Sequence, residues 1–138
     1  MIRLDYSVLK LLYRSDLPLK VGGIAKKLNL PHSTLGSCII RLQNGGLVKY
    51  KAYKEVILTE KGRELARELI RHAQLIELFL HKSLGLSKEK AHEESEKINF
   101  LFTCGTINKI CEKFNHPTIC PCGNPILESR NCYCEIKK

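Results

Sequence analysis

The sequence predicts a mainly α-helical fold that contains one small β-hairpin. Apolar residues recur at helical spacing along most of the 138 residues. The main interruption is a pair of short aliphatic runs around a basic turn, which is typical of a hairpin. Hydrophobic residues make up 43% and charged residues 27% of the chain, a composition typical of globular proteins rather than fibrous or disordered ones. No run approaches the roughly 20 apolar residues of a membrane span, and the N-terminus lacks a signal-peptide pattern, so we expect a cytoplasmic protein.

Three short helices and a hairpin are predicted for the first 59 residues. Pro18 disfavours helix at the residue before it and ends the first helix, whereas Pro31 suits the entry of the third. Gly45 and Gly46 end the third helix, as glycine commonly does. In chain order, the predicted elements are a helix over 6–14, a very short strand over 19–21, a helix around 24–28, a helix over 33–44, and strands over 47–50 and 55–58.

One long helix and two shorter ones are predicted for the second half. Thr59, Ser87 and Thr103 are each of a type that caps helix N-termini, and Gly85 ends the long helix. Past residue 115, the prolines, glycines and cysteines indicate a loop-rich tail. The predicted helices cover residues 60 to about 84, 87–101 and 104–114.

Three helices followed by a hairpin is the element order of a winged helix-turn-helix, in which the third helix enters the DNA major groove. Charge supports this interpretation, because residues 1–59 carry ten Lys/Arg against three Asp/Glu, a balance of +7, out of +9 for the whole chain. The N-terminal residues of the third helix would contact base edges, and later basic residues would contact phosphates. The predicted base contacts are His32, Ser33, Thr34 and Ser37, and the predicted phosphate contacts are Arg41, Lys49, Lys51, Tyr53 and Lys54.

A set of short sequence runs extends from the predicted second helix into the tail. They are VGGIAKKLNLP (21–31), STL (33–35), Leu42, GLV (46–48), YKAYKEVILTEKGRELA (50–66), LIELFL (75–80), LGL (84–86), AHEE (91–94), HPT (116–118) and GNPI (123–126). In these runs the sequence resembles a known family, the iron- and manganese-dependent (DtxR-like) transcriptional repressors, over roughly residues 5–127. Any winged helix could supply the first part, whereas the part past the hairpin is specific to this family.

The resemblance implies a winged-helix domain over 1–62 and a helical dimerisation domain over 63–115. To these the sequence adds a cysteine-rich tail over 116–138, for which we predict metal binding. The resemblance further implies a homodimer that binds a palindromic operator in double-stranded DNA, without a membrane partner.

Family members sense a divalent metal through His-x-x-x-Glu on the long helix and His-x-x-x-(Cys/Met/Glu)-x-x-Glu-His on the next. In this chain Ala73 stands in place of the first histidine, and Asn99 and Phe100 stand in place of the final Glu-His. Asp5 is only a loose candidate for the family's N-terminal ligand. We therefore expect the family's Fe²⁺/Mn²⁺ site to be lost. The retained ligand positions are Glu77, His92 and Glu96.

A residual divalent-metal site is a further hypothesis. Glu77 and His81 share one helix face, as do His92 and Glu96, because each pair is spaced i, i+4. Together these four side chains could hold an ion through nitrogen and oxygen ligands. The alternative is two His/Glu pairs on a solvated helix face.

Six of the seven cysteines fall between residues 104 and 134, which in a reducing compartment indicates metal or redox chemistry. Cys104 and Cys111 are too far apart along one helix, about 10 Å, to bind the same ion. Free thiols without a ligand are the alternative, and Cys38 is predicted to be buried core. The predicted ligands of an iron–sulfur cluster or Zn²⁺ are Cys120, Cys122, Cys132 and Cys134, with Cys111 as a substitute.

These features predict a homodimeric, sequence-specific DNA-binding transcriptional regulator that responds to metal, iron–sulfur or redox state through its cysteines. An enzyme is not expected, because no nucleophile–base set and no phosphate-binding loop stands out. The alternative is a protein-interaction winged-helix module with a purely structural zinc site.

Overall fold

A computed structural model describes residues 2–129. It divides into two compact units, one up to Ala66 and one from Arg67 onward, and the described part of the tail, 116–129, belongs to the second. Cys132 and Cys134 lie outside the described residues. The elements are α1 (Arg3–Arg14), α2 (Val21–Leu28), α3 (His32–Asn44), β1 (Val48–Lys49), β2 (Ile57–Leu58), α4 (Glu60–Leu84), α5 (Lys88–Ile98) and α6 (Cys104–Lys113).

The predicted mainly helical fold with one hairpin is confirmed, and the first unit has the winged-helix order of elements. β1 and β2 pair antiparallel, with Val48 opposite Leu58. The short strand predicted over 19–21 is wrong, since only Leu19 pairs, accepting a hydrogen bond from Val56 N at 2.8 Å. Val21 instead begins α2, because Ile24 N donates a hydrogen bond to Lys20 O at 3.0 Å and so forms the first turn of that helix.

The first unit packs around apolar side chains of its three helices. Cys38 is completely buried there, as predicted, and its Sγ donates to Asp5 Oδ1 at 3.0 Å. Gly62, in the first turn of α4, lies so close to the hairpin entry that a Cβ built on it would stand 1.9 Å from Leu47 O. The fully buried large residues of this unit are Leu9, Ile24, Leu35, Ile39, Leu42 and Leu65.

The second unit is organised around α4, in which every residue from Glu68 to Leu78 is buried. Leu75 and Ile76 of α4 pack with Ile107 of α6 to form its core. Ser87 and Thr103 cap α5 and α6 through their side-chain oxygens, as predicted. Among the helices within residues 2–129, none is both long and apolar enough to cross a membrane.

α5 ends earlier than predicted, at Ile98 rather than residue 101. Asn99 is fully buried at its C-cap and donates through Nδ2 to Leu69 O at 2.8 Å. The amide thus bonds to the backbone of α4 at the point where α5 ends.

Candidate metal centre and nucleic-acid interface

A loop after α6 positions one cysteine at its tip. We call residues 116–129 the tail loop. Cys120 N donates to Asn124 O at 2.9 Å, and Gly123 N donates to Cys120 O at 2.8 Å, which closes a tight turn around Cys122. Gly123 has φ +89, a left-handed conformation that glycine adopts without strain. This turn exposes the Cys122 side chain while Cys120 stays buried.

α4 holds the tail loop through Gln74. Its Nε2 donates to Pro125 O at 2.8 Å, and its Oε1 accepts from Leu127 N at 3.0 Å. Both the donor and the acceptor of the Gln74 side-chain amide therefore bond to the loop backbone. Gln74 lies three residues before Glu77, so the two side chains project from neighbouring turns of the same face.

Three donor atoms from three elements meet in the second unit: Glu77 on α4, His92 on α5 and Cys122 in the tail loop. Glu77 Oε1 accepts hydrogen bonds from Cys122 Sγ at 2.6 Å and from His92 Nδ1 at 3.2 Å. Cys122 Sγ lies 3.7 Å from His92 Nδ1. We call this cluster the Glu77–His92–Cys122 site.

Two of the three separations between these donor atoms suit a metal ion. Donors bound at 2.0–2.3 Å around a tetrahedral ion stand about 3.3–3.8 Å apart. The nitrogen–oxygen and nitrogen–sulfur separations, 3.2 and 3.7 Å, match this closely. The sulfur–oxygen separation of 2.6 Å is that of a hydrogen bond, and it would lengthen once Cys122 lost its proton to an ion.

Glu77 also controls the protonation of Cys122. The hydrogen bond to Glu77, burial and the nearby negative charges raise the pKa of Cys122 to about 12. The thiol therefore keeps its proton at neutral pH when no cation is present. A metal ion at the site would supply the positive charge that a Cys122 thiolate needs.

The interpretation of Glu77 as part of a solvated helix face is wrong, since Glu77 is 2% exposed. His81 does not join this site, because its Nδ1 donates to Leu86 O at 2.8 Å, near the end of α4. Glu96 also lies outside the group of three. The structure therefore brings together one half of each predicted His/Glu pair.

The predicted cysteine ligands have different partners in the described residues. Cys122 contacts Glu77 and His92, whereas Cys111 Sγ lies 3.3 Å from His116 Nδ1. Cys120 is 4% exposed. The predicted cluster that includes Cys132 and Cys134 extends beyond the described residues and stays a prediction.

Three positions that the resemblance assigns to metal ligands have other surroundings in the described residues. Ala73 is buried one turn before Glu77 and has no donor atom. Asn99 bonds to the α4 backbone. The Asp5 carboxylate, fully buried in the first unit, accepts hydrogen bonds from Arg41, from Cys38 and from Ile2 N.

The sequence identifies all three residues as candidate ligands but predicts them in two different sites. Cys122 is predicted in the cysteine cluster, whereas Glu77 and His92 are predicted in a histidine–carboxylate site. The signal that could have joined them is a missing ligand, because Ala73 has no donor atom at the position where the family has a histidine beside Glu77.

The residues predicted to contact DNA are all exposed in the first unit. Four lie in the first two turns of α3, and four surround the turn between β1 and β2, with Tyr53 90% exposed. Arg41 pairs with Asp5 through Nη2 and Oδ1 at 2.9 Å while its side chain stays 42% exposed. Its contact with phosphate stays a prediction.

Comparison with known proteins gives consistent matches. The model of the family "Iron dependent repressor, metal binding and dimerisation domain" matches residues 59–128. The chain is 31% identical over 103 residues to the iron-dependent repressor IdeR of Mycobacterium tuberculosis, covering 75% of this chain and 45% of that protein. The chain thus spans somewhat less than half the length of this relative.

Two solved structures share the fold. A hypothetical protein, SSo2273, from Sulfolobus solfataricus superposes with a TM-score of 0.78 at 29% identity, over 93% of this chain and 100% of that one. A manganese-dependent transcriptional repressor in complex with manganese superposes with a TM-score of 0.79 at 27% identity, over 88% of this chain and 57% of that one.

Proposed function

Because the chain belongs to the iron-dependent repressor family, we propose that it is a homodimeric, sequence-specific DNA-binding transcriptional regulator whose signal is a metal ion. The observation that carries the proposal is the convergence of Glu77, His92 and Cys122, whose donor atoms all lie within 4.8 Å of one another. A catalytic activity is no part of this proposal.

The three donors could bind a single metal ion without any further cysteine. Carboxylate, imidazole and thiolate each bind divalent transition metals, and here one of each is present. When bound, the ion would supply a positive charge that links α4, α5 and the tail loop. The iron–sulfur alternative needs more thiolates and is tested by measuring iron and acid-labile sulfide per chain in protein purified without oxygen.

The exposed residues of α3 and the hairpin support the DNA-binding part. Small polar side chains and His32 occupy the helix end that would face bases, while lysines flank the turn of the hairpin. The charge balance of +7 over residues 1–59 would favour a polyanion there. The dimer on a palindromic operator is carried over from the family.

The test is selection of duplex DNA from a randomised pool by the full chain, with a divalent metal or with a chelator. We expect one palindromic sequence to be enriched only when metal is present. His92→Ala should lose this enrichment, whereas His81→Ala, which changes a histidine outside the site, should keep it. Enrichment that is equal with chelator, or that His92→Ala leaves intact, would contradict the proposal.

A further inference from the structure

The composition of the Glu77–His92–Cys122 site indicates which ion it binds. We propose that this site selects a thiophilic divalent ion of the zinc type over Mn²⁺ and Fe²⁺, and that Cys122 is the ligand that makes the selection. The inference rests on the proposed function in taking the site to be a metal site, and it adds the class of metal.

Ligand chemistry separates these ions. Oxygen donors and water suit Mn²⁺, whereas thiolate favours zinc. In the usual order of affinities, both Mn²⁺ and Fe²⁺ also bind more weakly than Zn²⁺. Without Cys122, Glu77 and His92 would form a nitrogen–oxygen pair open to many divalent ions. Such a pair would already follow the general affinity order, and the thiolate adds a further preference for zinc.

The site has the composition of an open zinc site. Structural zinc sites are closed by four protein ligands, whereas open sites have three and leave one position for water or another ligand. Here three donors lie beside a surface cavity of about 480 Å³, lined by Lys88, Glu89, His92, Pro121 and Cys122. An ion that is reached from this cavity can exchange with solvent. A site that senses metal reversibly requires such exchange, whereas a purely structural metal site does not.

Binding would also fix the tail loop. Cys122 lies 45 residues from Glu77 in the chain, and a thiol hydrogen bond joins their side chains. Replacing that bond by two metal–ligand bonds would tie the turn at residues 120–124 to α4. The loop amides, including Gly123 N, should then exchange with solvent more slowly.

The experiment uses the full chain, reduced, metal-free and handled without oxygen. Competition titrations compare Zn²⁺, Mn²⁺ and Fe²⁺, and Co²⁺ serves as a spectroscopic probe because a bound thiolate gives a sulfur-to-cobalt charge-transfer band. We expect Zn²⁺ to bind at least about 100-fold more tightly than Mn²⁺. Cys122→Ser should abolish the band and lower the preference for Zn²⁺ over Mn²⁺ to the part that follows from the general affinity order.

Two variants serve as controls for the other thiols. Cys111→Ser changes the cysteine beside His116, and the double variant Cys132→Ser/Cys134→Ser removes the last two cysteines. Both should keep the charge-transfer band and the preference for zinc. Retention of the band in Cys122→Ser, or its loss in either control, would overturn the assignment of Cys122.

The inference and the proposed function can fail separately. Equal affinity for Mn²⁺ and Zn²⁺, with metal-dependent DNA selection intact, overturns the inference and leaves the regulator. Zinc bound through Cys122 with no effect on DNA selection overturns the regulator and supports the inference. Circular dichroism of each variant shows that a lost signal does not reflect a lost fold.

Discussion

Cys122 donates its thiol hydrogen to Glu77 Oε1 across 2.6 Å, from a surface loop to a carboxylate that is 2% exposed. The bond places the sulfur beside His92, 3.7 Å from its Nδ1. A site that is already assembled loses less conformational entropy when it binds an ion. The three donors therefore lie near the positions in which they would bind an ion, with the Cys122 proton where the metal charge would stand.

Gln74→Ala should weaken metal binding although Gln74 is not a ligand. Its amide makes two hydrogen bonds with the tail-loop backbone, at 2.8 and 3.0 Å, and the loop carries Cys122. Groups that orient metal ligands typically matter by 10–100-fold in affinity. We expect a loss of about 10-fold in zinc affinity, measured by competition titration.

Gln43, exposed on α3, provides the matched control. Gln43→Ala should leave zinc affinity unchanged. A positioning role also predicts that Gln74→Ala keeps the sulfur-to-cobalt band while raising the Co²⁺ concentration needed to reach it. If zinc affinity stays at the wild-type value, the loop does not depend on Gln74.

Gly62→Ala should destabilise the protein. Alanine normally gains up to about 1 kcal/mol over glycine inside a helix, but a Cβ here would stand 1.9 Å from Leu47 O. The Leu47 carbonyl also accepts a hydrogen bond from Thr59 N at 3.0 Å, so moving this carbonyl away from Gly62 would break that hydrogen bond. Overpacking of this kind costs about 1–3 kcal/mol, measurable by urea unfolding.

Gly36 is the comparison for this prediction. It lies in α3 with nothing within 4 Å of a built Cβ, so Gly36→Ala should be neutral or stabilising by up to about 1 kcal/mol. Equal unfolding free energies for the two variants would show that the close approach at Gly62 relaxes freely.

Stability should fall at acidic pH through Asp5. Burial alone would raise its pKa, but hydrogen bonds from Arg41, Cys38 and Ile2 N outweigh burial and hold the pKa below the ordinary value of 3.8. A lowered folded-state pKa stabilises the fold above the unfolded value, and this contribution is lost as the pH falls through the folded value. The loss should therefore begin near pH 3.8 and increase below it.

Asp5→Asn tests this assignment. The variant should be less stable than the wild type by about 1–3 kcal/mol at neutral pH, because the Arg41 guanidinium loses its charged partner. The difference between the two proteins, from urea unfolding at a series of pH values, should shrink below about pH 4. A constant difference at every pH would show that the Asp5 charge is not responsible.

The helix order could be predicted because each boundary has a local cause. Thr59 precedes α4 and Gly85 follows it, so the predicted helix over 60–84 matches the observed one. The strand over 19–21 failed because Leu19 is extended only through its pairing with distant Val56. Local propensity does not contain that contact.

The site could be predicted residue by residue but not as an assembly. Helical spacing shows that Glu77 and His81 share a face, yet it cannot show that His81 Nδ1 bonds to Leu86 O instead. Likewise, the spacing of Cys120 and Cys122 suggested a shared ion, whereas the turn buries one and exposes the other. The choice between partners depends on packing across 45 residues of chain, between Glu77 and Cys122.

Lys51→Ala should weaken DNA binding without changing the preferred sequence. Lys51 is exposed at the hairpin turn, where a lysine would neutralise a phosphate and release a counterion. Each such contact contributes about 0.9 to the slope of log affinity against log salt. Each protomer of the proposed dimer would lose one such contact, so the steepness of this slope, from anisotropy titrations on the selected duplex, should fall by about 2.

Two comparisons make the prediction specific. Ser33→Ala, at the start of α3, should alter sequence preference while leaving the salt slope unchanged, because it would remove a base contact rather than a charge. Lys109→Ala removes a lysine that is 81% exposed in the second unit and should change neither quantity. If Lys51→Ala and Lys109→Ala lower the slope equally, the hairpin turn has no special place on DNA, and the protein's attraction to phosphate is spread over its whole basic surface.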